Sequence, residues 1–101
     1  MSPSKVVRER VARLTDLPNI GVSLAGDLQL LGIDRPEQLR SRDPYAMYES
    51  LCAITRVRHD PCVLDVFISV TRFMSGEPAA DWWAFTDERK RALVRSVSAP
   101  R

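Results

Sequence analysis

Glycine and cysteine are scarce in this chain of 101 residues, with four and two copies, and histidine occurs once. Two cysteines do not make a disulfide scaffold, and without an export signal Cys52 and Cys62 are expected to be reduced thiols in the core. No apolar run approaches membrane-spanning length, and the opening MSPSKVVRERVARL lacks the unbroken apolar stretch of a secretory signal. The cytoplasm is therefore the expected compartment. Internal repeats, low-complexity tracts and linker-like composition are also missing, which argues against an array or a two-domain chain. The formal net charge is only +2. Its basic residues crowd the two ends, Lys5, Arg8, Arg10 and Arg13 at the start and Arg89, Lys90, Arg91 and Arg95 at the close, which permits a phosphate-bearing partner without requiring one.

What is present is ordinary globular material, 45% hydrophobic and 28% charged, enough for one domain spanning residues 1–101 with a modest core. Nearly every segment has helical rather than alternating periodicity, so the expected fold is all-α, a compact arrangement of five to six helices with its core over residues 14–87 and a basic C-terminal segment over 88–101. Val7, Val11 and Leu14 form the stripe of a first amphipathic helix over about Pro3 to Thr15. A second helix runs from Val22 to Leu31 with Leu24, Leu28 and Leu31 inward, and Gly32 supplies its left-handed stop. Asp34, with Glu37 three residues on, predicts a brief helix to about Arg40. Asp43-Pro44 and Asp60-Pro61 each place an N-cap before a proline at the first helical position, predicting two further helices. Gly76-Glu77-Pro78 ends the second of these, and Thr86-Asp87-Glu88 begins a last, basic helix.

Three of the four glycines fall in LPNIGVSLAGDLQLLGI, Leu17 to Ile33. Gly21 immediately precedes a helix, whose first N–H groups point outward at the positive end of the helix dipole and can receive a phosphate oxygen where no side chain blocks the approach. The stretch resembles the helix-hairpin-helix motif of DNA-binding proteins, whose usual pattern is Leu-Pro-Gly-Ile-Gly. Here Asn19 stands at the first hairpin glycine, a position where Asn tolerates a left-handed φ, and Ser23 stands where the motif often carries Lys. Gly26 takes a mid-helix position that the motif keeps small, which predicts a close helix crossing. The resemblance implies duplex DNA as partner, with Asn19, Ile20, Gly21, Val22 and Ser23 contacting its backbone. It also implies a second hairpin, here a degenerate one without glycine over Thr55 to Asp60, where Arg56 and Arg58 would serve as phosphate contacts. The alternative is that the same helical scaffold is a protein-interaction module that never meets nucleic acid.

Other chemistry is thin. Cys52, His59 and Cys62 would need Asp60 or Asp65 to complete a zinc site, and their spacing is not a recurring one, so no metal or other cofactor is expected. Cys62 in the first turn of a helix has the position that lowers a thiol pKa, yet no third catalytic member accompanies it, and no enzyme is expected. Consecutive Trp82 and Trp83 must point in different directions, one inward and one exposed. The run from Leu51-Cys52 through DPCVLDVF to Trp82-Trp83 resembles the small bacterial pathogenicity-locus proteins, some known as mitomycin-resistance proteins, over about Leu14 to Asp87. That resemblance implies a helix-hairpin-helix domain similar to the C-terminal domain of competence regulators, and implies no particular reaction.

Overall fold

Two Asp-Pro pairs open helices at the places the sequence predicts. Asp43 Oδ1 accepts the N–H of Tyr45 at 2.9 Å, and Asp60 Oδ1 accepts that of Cys62 at 2.9 Å, with Pro44 and Pro61 at the first helical positions. The computed structural model describes residues 11–98, with side chains through Ala92. Among them are four α-helices, α1 (Val22–Leu30), α2 (Pro44–Thr55), α3 (Pro61–Met74) and α4 (Thr86–Ser98), and three short 3-10 turns at Leu14–Asp16, Pro36–Leu39 and Trp82–Phe85. No strand occurs among the described residues, and none of their helices is long and apolar enough to cross a membrane.

Four α-helices among the described residues are fewer than the expected five to six. Most of the first predicted helix, Pro3 to Thr15, lies outside the described residues; its described end is not α-helical, because the Asp16 carboxylate turns back to accept the N–H groups of Ala12 and Arg13 at 3.1 and 2.9 Å. Those two bonds, Arg13's first, hold the Asp16 carboxyl below its ordinary pKa. The brief helix after Asp34 is the single turn Pro36–Leu39. Its cap is Gln38, whose Oε1 takes the N–H groups of both Asp34 and Arg35 at 2.8 Å, so Asp34 is capped rather than capping and Glu37 is not the box partner.

Helix ends follow the glycines. At Gly32 (φ 80°) the chain leaves α1 with Gly32 N–H on Gln29 O and Ile33 N–H on Leu28 O, both 3.0 Å, and the side chains of Leu28 and Ile33 are both fully buried. Gly76 (φ 107°) ends α3 in the same way, with bonds to the carbonyls of Phe73 and Arg72. Between these stops, α3 is the axis of the molecule: Leu64 through Thr71 and Phe73 are buried, on all sides of the helix rather than on one face. Leu17, Leu28, Ile33, Leu39 and Leu51 close around it.

Three polar side chains go inside with α3, and each has its partners. Thr71 bonds back to Phe67 O at 2.9 Å, Ser69 reaches Ala80 O at 3.3 Å, and the fully buried Asp65 receives Thr86 Oγ1 at 2.8 Å and both Nε and Nη2 of Arg89 at 3.0 and 3.3 Å. This two-pronged pair docks the start of α4 on α3, and at 12% exposure the Arg89 side chain is nearly dry. Removing one member leaves the other charge buried and alone. Asp65→Ala is expected to lower unfolding free energy by about 3–5 kcal/mol in chemical denaturation, and adding Arg89→Met to recover most of that loss. An Asp65→Ala protein as stable as the parent would show that the pair does not hold α4.

Candidate nucleic-acid interface

Leu17 to Ile20 form a tight turn with Pro18 at its second position and Asn19 at its third, where φ is 66°, a combination that a type II turn requires. Ile20 N–H meets Leu17 O at 3.4 Å, and both of these side chains are buried, which seats the turn in the core. The Asn19 amide does more than tolerate the left-handed backbone. Its Nδ2 donates to Ser69 Oγ of α3 at 3.1 Å and to Ala80 O at 2.9 Å, stapling the turn to the central helix and to the segment that leads into Trp82–Phe85. Sequence reasoning placed Asn19 correctly in the left-handed region and missed this staple; the available signal was a side chain with two N–H donors where the motif's glycine has none.

The turn delivers Gly21 as the N-cap of α1 in extended backbone (φ −96°, ψ −173°), with no side chain capping the helix and no acidic residue in its first turn. The first-turn amides therefore face outward at an uncompensated positive dipole end. In this α1 differs from α2 and α3, whose first turns are already occupied by Asp43 and Asp60. A methyl group added at Gly21 would meet nothing within 4 Å, and the same holds at Gly26. Among the described residues no close helix crossing occurs at Gly26, and Gly21 has no positive φ to require it; neither glycine has a packing reason there. Beside them Val22 is 84% exposed, and Leu30 on the same face of α1 is 52% exposed.

Arg56 and Arg58 lie in the separate loop between α2 and α3. Arg56 closes α2 in a left-handed conformation (φ 59°), exposed and without an ion-pair partner among the described residues. Arg58 is engaged: its Nη1 meets Glu49 Oε1 at 3.0 Å, its guanidinium lies 5.8 Å over the Tyr48 ring, and Glu49 raises its pKa further. Both members of that ion pair are mostly exposed, so a phosphate could exchange for Glu49 at little cost. The loop is pinned from behind. Thr55 Oγ1 donates to Leu51 O and so accepts from His59 Nε2, each at 2.8 Å, while Tyr48 donates its hydroxyl to His59 O.

The remaining chemistry-bearing residues are committed to structure. Cys52 is buried and free, accepting the N–H of His59 at 3.5 Å; Cys62 is free and half-buried. Burial, and then the hydrogen bond with Asp60, push the Cys62 thiol above its ordinary pKa, contrary to the lowering expected from its first-turn position. No group of three or more His, Cys, Asp or Glu able to hold a metal ion occurs among the described residues. Asp60 caps α3 and Asp65 holds Arg89, so neither is spare for such a site.

The family model described as Pathogenicity locus (Cdd1) matches residues 7–91. A relative from Streptomyces lavendulae, named mitomycin resistance protein McrB, is 45% identical over 81 residues, which cover 80% of this chain and 77% of its own. No solved structure matches the chain.

The Asn19 staple separates two effects that one residue combines. Asn19→Ala loses both hydrogen bonds and keeps the cost of a left-handed φ, so it is expected to destabilise by about 2–3 kcal/mol. Asn19→Gly loses the same bonds but relieves the backbone, and is expected to cost about 1 kcal/mol less than alanine. Equal midpoints for the two variants in urea titrations would contradict this assignment.

Proposed function

We propose, on the premise that this chain belongs to the pathogenicity-locus family, that it is a non-catalytic, sequence-tolerant binder of duplex DNA working through the amides at the start of α1. One observation carries the reading: the core-seated turn Leu17–Ile20 presents an uncapped helix N-terminus behind Gly21, with open space where a side chain would otherwise be. A phosphate oxygen placed there receives N–H donors at the positive end of the dipole without displacing any protein group. Gly21, Val22 and Ser23 supply the backbone, the Ser23 hydroxyl adds a neutral donor where the helix-hairpin-helix pattern often has a lysine, and Asn19 and Ile20 hold the turn. Arg56 offers a further exposed cation from the second, glycine-free loop, with Arg58 available by exchange from Glu49. Backbone amides and cations meet phosphates and not base edges, hence the tolerance of sequence. The relative's name speaks of resistance to mitomycin and specifies no partner, so the geometry supports a phosphate at this helix end and the likeness of Leu17 to Ile33 to a helix-hairpin-helix supports duplex DNA as its bearer.

A second reading has its own support. Val22, Gly26 and Leu30 are exposed and follow one another at four-residue spacing along α1, a mostly apolar stripe of the kind a partner helix covers. Under that reading binding would be to protein and would depend weakly on salt.

Salt separates the two. With two to four phosphates contacted, the log of duplex affinity is expected to fall against log salt with a slope of about −2 to −4. Gly21→Asp places a carboxylate where the phosphate oxygen sits and is expected to weaken duplex binding by about tenfold or more, while its melting temperature stays near that of the parent because the site has room for the side chain. A folded Gly21→Asp protein that binds duplex as the parent does would remove α1 from DNA recognition. No salt-sensitive duplex binding even at low ionic strength would favour the protein-interaction module.

A further inference from the structure

Trp83 is 60% exposed, whereas its neighbours Trp82 and Phe85 pack against the core. The exposed indole is nevertheless held. It stands edge-to-face on Trp82, with centroids 5.5 Å apart and planes at 81°, and its 3-10 turn is closed by Ala84 N–H on Asp81 O at 3.0 Å. The turn is tied to the α1 hairpin as well, because Ala80 O, three residues before Trp83, receives both Asn19 Nδ2 at 2.9 Å and Ser69 Oγ at 3.3 Å. Chain connectivity through that bond keeps Trp83 within about 30 Å of Gly21, a distance that ten nucleotides span even at the stacked rise of about 3.4 Å each.

We infer that Trp83 is a stacking platform for an unpaired base, so that the ligand favoured by this surface is duplex DNA continued by a single strand. The inference rests on the duplex reading of α1 and adds to it. A rigid, exposed indole gives a base a flat apolar surface at little entropic cost, whatever the base is. The turn offers a base face and not a phosphate contact, because Trp82–Phe85 carries no basic residue and its N-cap residue is Asp81.

The test compares a blunt duplex with the same duplex carrying a ten-nucleotide single-stranded tail, each polarity in turn, by anisotropy and by tryptophan fluorescence. The expected result is an affinity about tenfold higher for a tailed duplex, with quenching of the indole emission. Trp83→Ala is expected to abolish that increment and leave blunt-duplex affinity unchanged, with only the small fall in melting temperature that loss of the contact with Trp82 brings, and Trp83→Phe to retain part of the increment. An increment that survives Trp83→Ala, or no increment with either tail, overturns the inference while blunt-duplex binding still supports the α1 reading. Failure of the blunt duplex to bind overturns the α1 reading instead; tail binding that still depends on Trp83 would then leave the platform standing alone. Binding of neither DNA overturns both.

Discussion

The left-handed backbone of Asn19 and the two hydrogen bonds of its side chain set the position of everything this molecule presents at α1. A non-glycine residue in that conformation costs about 1 kcal/mol. The donors of Nδ2, directed at Ser69 Oγ and Ala80 O in a half-buried setting, offset that cost and convert a flexible turn into a fixed one. From there the geometry is forced: Leu17 and Ile20 go down into the core, Gly21 emerges extended, and α1 begins with its amides already aimed. Donors held in place before a ligand arrives lose little entropy on binding, which matters for a site built of neutral N–H groups rather than lysines.

The rest of the fold supplies the rigid body on which that turn is mounted. Because α3 is surrounded on all sides, its polar residues had to be internally satisfied, and each satisfying bond reaches a different neighbour: Asp65 to α4, Ser69 to the segment before Trp82, Thr71 to the helix's own backbone. The same economy governs helix ends. Asp43 and Asp60 satisfy the starts of α2 and α3, and left-handed glycines close α1 and α3, whereas the start of α1 has no side-chain cap among the described residues.

Much of the scaffold was legible because its signals are local. An Asp-Pro pair fixes a helix start through one residue's side chain and the next residue's ring, and Gly32 and Gly76 mark stops through their own φ. Pro18-Asn19 ahead of Gly21 marked the turn, its left-handed residue and the start of α1. What sequence did not reveal depends on partners distant in the chain. Asp65 reads as one polar position in a helical stripe until Arg89, twenty-four residues on, arrives beside it, and Asn19 reads as a substitute glycine until Ala80 comes within reach. Local competition also decided two points that pattern got wrong: Gln38 outbid Glu37 for the cap because its amide oxygen reaches two N–H groups at once, and Asp16 turned back on Ala12 and Arg13 where a continuous helix was expected. Gly26 was read as an internal close approach, and among the described residues the space around it is open.

If the amides at the start of α1 are the contact surface, they can be watched directly. Titrating a short duplex at low ionic strength into the isotopically labelled protein, followed by amide NMR, is expected to shift the resonances of Gly21, Val22, Ser23 and Leu24 in a saturable way. The amides of Tyr45 and Cys62, already bonded to Asp43 and Asp60, are expected to stay in place. Saturable shifts that leave the first turn of α1 untouched, or duplex at millimolar concentration that moves no amide at all, would contradict the account.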